Sequence, residues 1–241
     1  MIITGNQPYF MPYIGYWQLI HAADVFIIGD DYNYIKKGWV SRNRILQNGE
    51  PGYFNIEVSQ GSSYKKIMEL SLSEQYNPEK KLRQLAGAYR KAPYFDAGYA
   101  LMKQILEYED RNLANYLEHS LRCVCDYLDI TTKIVRSSSF KGNDELKREY
   151  RIFDMCCSMG ADTYINPIGG VELYDAAMFR ERGIKLGFIQ SGDIQYQQFG
   201  QEFVPWLSII DLIMFNSKEE LQKILNQYTI LWGEENTAEV V

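Results

Sequence analysis

The chain has 241 residues, a formal net charge of −6, four cysteines and two histidines. An acidic balance opposes unspecific binding to nucleic acid, which needs a positive field. No stretch reaches the roughly eighteen apolar residues of a membrane-spanning helix. Cys123 and Cys125 stand two apart on an expected helix, and Cys156 and Cys157 are adjacent on another. With only His21 and His119 beside them, zinc-ligand spacing is absent, no metal site is indicated, and buried small hydrophobes in a reducing compartment are expected. The segment Met1–Gly5 lacks the basic, apolar and small-residue regions of an export signal, so a cytoplasmic protein is expected.

In chain order, Met1–Thr4 is short and β-branched and reads as a strand running into the proline loop Gly5–Pro12. Tyr13, Tyr16, Trp17 and Ile20 fall at helical spacing. Val25–Ile28 is the continuous apolar run of a strand buried on both faces, ending at Gly29-Asp30-Asp31. Strand, helix and strand in so short a span make a βαβ unit with parallel, adjacent strands. Tyr34–Leu46 reads as extended, Gln47–Gly52 as a turn and Tyr53–Val58 as an alternating strand.

Asn77-Pro78 opens a helix with Leu82, Leu85, Ala86 and Tyr89 on one face, and Leu113 to Leu128 carries a second amphipathic pattern. Thr132–Val135 reads as a strand. The helix marked by Leu146, Tyr150, Phe153 and Cys157 stops at a left-handed cap, Gly160. Thr163–Ile165 and Ile184–Phe188 are short strands. Ser217 with Glu220 forms a capping box for a last helix burying Leu221, Ile224, Leu225 and Tyr228, and residues 233–241 form an acidic tail. The expectation is a single α/β unit over residues 1–232: a three-layer, largely parallel sheet with a helical insertion around 78–128.

Ligands of an open parallel sheet bind beyond the carboxyl ends of its strands, so the polar residues there are the candidates. Asn6, Gln7 and Tyr9 follow the first strand and offer amides and a ring to a ligand edge. Asp30 and Asp31 follow the second; two carboxylates there can hold ribose hydroxyls or Mg²⁺, divide acid–base work, or simply cap a turn. Arg42 and Arg44 share one face of an extended segment with Asn43 between them, which suits a phosphate or carboxylate; the plainer reading is a solvated strand edge. Tyr13, Tyr16, Ser138, Tyr196 and Gln197 are further candidate contacts. Asp211 lies in the apolar run Leu207–Phe215, where a carboxylate needs a partner. Ser208 is the expected local one, and with no histidine placed beside the two, a structural role is favoured over a catalytic pair.

Taken together, Asn6-Gln7-Pro8 through Pro12-Tyr13-Ile14-Gly15-Tyr16, Ala23–Phe26 to Asp30-Asp31, Arg42-Asn43-Arg44-Ile45, Ser137–Ser139, Gly160–Tyr164 and Phe203–Asp211 resemble the WbqC-like family of bacterial proteins. The resemblance implies a setting in O-antigen and other surface-polysaccharide assembly, and transfer of glycine or a similar acyl group to a sugar. The chain departs at Asn6, where the family often carries histidine, so a scheme using that histidine as base does not carry over. The layout around Gly15-Tyr16 is also similar to nucleotidyltransferase-like folds, with Tyr16 in place of the second histidine of their motif.

Three readings compete. The first is a transferase putting an acyl or aminoacyl group on a nucleotide-activated sugar. Arg42 and Arg44 would hold phosphate, Asp30 and Asp31 would orient hydroxyls or act as base, and Gln7 with Tyr9 would line the acceptor site. The second is an ATP- and Mg²⁺-dependent nucleotidyltransferase or ligase. The third is a non-catalytic sugar-binding or assembly protein that stacks sugars on its tyrosines. A small-molecule ligand is common to all three; the sequence names no cofactor and no oligomeric state.

Overall fold

A computed structural model describes residues 1–200 and 202–233, so the expected acidic tail lies, beyond Gly233, outside the described residues. The two apolar runs nearest the N-terminus form strands β1 (Ile2–Asn6) and β2 (Val25–Ile28), joined by helix α1 (Ile14–His21). They pair in parallel, with Ile3 opposite Val25 and Asn6 opposite Ile28, as the βαβ reading requires. A hairpin follows: β3 (Arg42–Gln47) and β4 (Glu50–Asn55). Its turn residues Asn48 and Gly49 have φ of +52° and +84°, the tight form that matches strand twist, so β4 resumes at Glu50 inside the expected turn cluster.

Helices α2 (Pro78–Tyr89), α3 (Phe95–Leu106) and α4 (Leu113–Tyr127) come next, then β5 (Lys133–Arg136). The rest is α5 (Glu149–Met159), β6 (Thr163–Pro167), α6 (Ala176–Arg180), β7 (Lys185–Ser191), α7 (Ile209–Phe215), α8 (Lys218–Leu225) and β8 (Tyr228–Trp232). Local chemistry sets the ends. Asn77 accepts from the Lys80 N–H, Ser217 from the Glu220 N–H, and Gly160 closes α5 at φ +65°.

Six strands form one sheet in the order β5-β2-β1-β6-β7-β8, parallel except for β8, which runs antiparallel on β7. Alternation along β2 separates the layers. Val25 and Ile27 pack with Ile3 against Ile152, Phe153 and Cys156 of α5 and Phe179 of α6. Phe26 and Ile28 face the opposite layer, which holds α1, α7, α8 and the inserted helices. This is the expected three-layer α/β arrangement. The hairpin belongs with the inserted helices, since Tyr89 of α2 donates its hydroxyl to neither solvent nor sheet but to Asp211, and accepts from the Leu46 N–H at 2.9 Å. No described helix is long and apolar enough to cross a membrane.

Two elements differ from the sequence reading. α3 carries its own apolar face, buried at Leu101, Met102 and Ile105, between helices that were expected. α8 ends at Leu225, and Tyr228, expected on its buried face, instead begins β8 opposite Ser191.

The strand order reverses at β1. From there the chain adds β2 and β5 on one side, then β6 and β7 on the other. The crevice at such a reversal opens beyond the strand ends, here Asn6 of β1 and Asn166-Pro167 of β6.

Candidate active site

A groove of about 500 Å³ lies at that reversal. Asn6 and Tyr9 enter it from the loop after β1, Tyr13 and Gly15 from the start of α1, Asn43 and Arg44 from β3, Ser191 from the end of β7, and Trp206 from the segment before α7. The Tyr13 and Trp206 rings meet at 5.1 Å and make an aromatic wall. Trp206 is 61% exposed and held at φ +61°, a conformation bulky residues seldom adopt. Its carbonyl accepts from an Arg44 Nη at 3.0 Å, while the Arg44 Nε is buried without a partner. Asn43 accepts from the Arg44 N–H at 2.9 Å and so fixes the strand where the arginine leaves it. Gly15 keeps the floor low: a Cβ there would stand 2.7 Å from the Ser191 Oγ.

A second groove, about 560 Å³, adjoins the first and shares Asn6, Tyr9 and Pro167 with it. Gln7, Tyr32, Arg148, Arg151 and Asn166 line it. Among the described residues no aspartate or glutamate lines either groove. A third hollow, about 530 Å³, lies behind the Tyr13–Trp206 wall and includes Asp193 and Tyr196.

The acidic pair after β2 takes another role. Asp30 and Asp31 are 1% and 6% exposed. Asp30 accepts from the Ser138 N–H at 3.1 Å, the Ser138 Oγ at 2.7 Å and the Ser137 Oγ at 3.2 Å. Asp31 pairs with Arg151 at 2.7 Å and also accepts from Ser137. Neither carboxylate is among the residues lining the grooves; the expectation gave them hydroxyl-holding or base roles, and in the structure their oxygens fasten the end of β2 to the turn after β5. Ser138, expected to touch a ligand, is one of the fasteners. Arg42 parts from Arg44 in the same way. Its guanidinium lies 4.2 Å over the Tyr53 ring, outside both grooves.

Tyr16 is buried and donates to the Gln7 carbonyl at 2.7 Å, supporting the loop that carries Asn6 to Tyr9. Burial, with Tyr9 nearby, pushes its hydroxyl well above the ordinary tyrosine range, and burial raises Tyr9 as well. Gln197 donates to the neighbouring Gln198 carbonyl and lines none of these cavities.

Asp211, for which the sequence favours a structural role beside Ser208, has other partners. Tyr89, Tyr196 and Gln198 donate to it at 2.8, 2.6 and 2.8 Å. Ser208 instead caps α7 through the Ile210 N–H and donates to the Met11 carbonyl at 2.6 Å. Burial holds the Asp211 carboxyl above the usual range despite its three hydrogen bonds.

Burial also pushes the Cys123, Cys125 and Cys156 thiols up to about 11, 12 and 12, so these three are not activated nucleophiles. Among the described residues no three His, Cys, Asp or Glu side chains are placed to hold a metal ion.

The profile of the WbqC-like protein family matches residues 7–223. A Mycobacterium tuberculosis protein named "Uncharacterized protein Rv1507c" is 29% identical over 210 residues, covering 86% of this chain and 90% of that protein. No solved structure matches. The family match begins at Gln7, in the loop that both grooves share, and runs into α8, so the chain belongs to the WbqC-like protein family.

Proposed function

We propose that this protein is a cytoplasmic transferase of bacterial surface-polysaccharide (O-antigen) assembly, placing a small acyl or aminoacyl group such as glycyl on a nucleotide-activated sugar. The observation that carries the reading is Arg44: a guanidinium with an unpartnered Nε, set in an aromatic-walled groove at the strand-order reversal with no acid in its lining among the described residues. A cation there suits a diphosphate, and the Tyr13–Trp206 wall suits the flat face of a base or the apolar face of a sugar.

In such a transfer the acceptor hydroxyl or amine attacks the acyl carbonyl and gives up its proton. The donor's leaving group departs with the bonding electron pair. Among the described residues the central groove has no carboxylate, imidazole or thiol in its lining. Its contribution is therefore positioning, with the Asn6 amide available to a developing oxyanion, while Asn43 is committed to the Phe10 carbonyl and the Arg44 N–H.

That same lining favours a second reading, a sugar-binding protein without turnover. The nucleotidyltransferase reading gains from Gly15 on the groove floor, but the Asp30 oxygens it would use for Mg²⁺ are already occupied by serine donors.

The test is a thermal-shift screen with UDP-, GDP- and dTDP-sugars, ATP and coenzyme A, with and without Mg²⁺, followed by mass spectrometry of the best ligand with acyl donors. A ligand that binds only the folded protein raises its melting point, equivalent to about 2.7 kcal/mol at a hundredfold excess over Kd. A sugar-nucleotide shift with product formation is the expected result. Binding without product supports the second reading, and an ATP shift that needs Mg²⁺ overturns both.

A further inference from the structure

We propose that the groove flanked by Arg148 and Arg151 is a second ligand site, built for an oxyanion-bearing co-substrate that meets the first ligand at Asn6. In a protein with a net charge of −6, this hollow of about 560 Å³ has, among the described residues, two arginines in its lining and no acid. The arginines are prepared differently. Arg151 is held: its Nε donates to Asn143 at 2.9 Å, one Nη pairs with Asp31 at 2.7 Å, and its plane lies 4.5 Å from the Tyr32 ring centre. Its other Nη has no partner among the described residues, so a fixed donor is left over at the groove wall. The Arg148 guanidinium makes no hydrogen bond or ion pair with the described residues, and the residue is exposed. One preset and one unpaired guanidinium on a single hollow can grip an oxyanion from two sides.

The ligand also needs a donor. The Gln7 Oε1 is buried in this lining and accepts from nothing among the described residues, and an empty buried acceptor is costly. A ligand N–H or O–H next to the oxyanion would satisfy it. Gly170 leaves space for the Asn166 amide that lines this groove, since a Cβ there would stand 1.7 Å from the Asn166 Nδ2. Because Asn6 and Tyr9 line both grooves, two ligands would come together there, which a group-transfer reaction requires. As a co-substrate site this inference rests on the proposed function; as an oxyanion site it stands alone.

The experiment measures binding of inorganic phosphate and of acetate by ³¹P and ¹H NMR line broadening, on the wild type, Arg148→Gln, Arg148→Gly and Arg44→Gln. At least one anion should bind, and the tighter of the two identifies the ligand's group as phosphoryl or carboxylate. Arg148→Gln should weaken it about tenfold or more, and by more than Arg44→Gln does. Arg148 adopts φ +48°, so Arg148→Gly should lose binding while its melting point holds or rises, which separates loss of the site from loss of the fold. Absence of binding by both anions, or binding that depends on Arg44 and not on Arg148, overturns the inference and leaves the proposed function standing. Arg148-dependent binding in a protein that ignores every sugar nucleotide overturns the proposed function and leaves the inference.

Discussion

Arg44 of β3 donates to the main-chain carbonyl of Trp206, 162 positions further along the chain, at 3.0 Å. One contact thus joins the inserted hairpin to the segment leading into α7 and holds one side of the aromatic wall. Arg44→Gln should lower affinity for the central-groove ligand by about 1.5–3 kcal/mol, the range for a hydrogen bond to a charged group. The melting point should move little, because the Trp206 carbonyl lies near solvent. Calorimetry on the variant checks this; unchanged affinity would remove Arg44 from the binding surface.

Gly15→Ala separates groove shape from helix stability. Alanine gains up to about 1 kcal/mol of helix propensity. Its methyl must displace the Ser191 hydroxyl, which donates to Gln18 at 2.6 Å. Affinity should fall about tenfold while the melting point stays within a few degrees. A variant that binds as well as the wild type would show that ligand does not reach this floor.

The acid–serine fastening predicts a loss of stability rather than of chemistry. Asp31→Asn leaves Arg151 buried without its counter-charge, and breaking a buried pair costs about 3–5 kcal/mol. Asp30→Asn loses acceptors for Ser137 and Ser138 and should cost about 1–3 kcal/mol. In urea titrations both midpoints should drop, while folded Asp30→Asn keeps its affinity for the central-groove ligand. A stable Asp30→Asn protein that no longer binds would return Asp30 to the site.

Asp211 carries a pH signature. Its carboxyl sits above the ordinary aspartate range, so the folded state holds this proton more tightly than the unfolded chain does. Its contribution is fully present below the unfolded pKa, about 4, and is lost as pH rises from there through the folded value. Asp211→Asn removes that slope. Wild-type minus variant unfolding free energy should therefore decline with rising pH above about 4. A difference that grows over this interval would show the carboxyl to be depressed instead.

Sequence patterning reached the parts of the fold governed by neighbours in the chain. β1, α1 and β2 followed from apolar runs and helical spacing, and the ends of α2, α5 and α8 from Asn77, Gly160 and Ser217. β8 was hidden because Tyr228 continues the spacing of Leu221, Ile224 and Leu225, and only pairing with β7 makes it a strand. The site divides the same way. Asn6, Gln7, Tyr9, Tyr13 and Arg44 line grooves as residues after strand ends and at the start of α1 should. The bond between Asp30 and Ser138 was not legible for a physical reason: each reads alone as a ligand contact, and the two bind each other across 108 positions. Arg148 and Arg151 carried no local signal, because charge at the start of an amphipathic helix is ordinarily solvated. Trp206 was legible only as part of an apolar stretch.

The central groove has walls from five separated parts of the chain: the loop after β1 with α1, the segment at Trp39 to Arg44, the end of β6, the end of β7, and Trp206. A molecule lodged there touches all five at once and acts as a temporary cross-link between distant stretches of backbone. The occupied protein should consequently resist proteases throughout its length, including at bonds far from the groove, because cleavage of the opened chain first requires the ligand to leave.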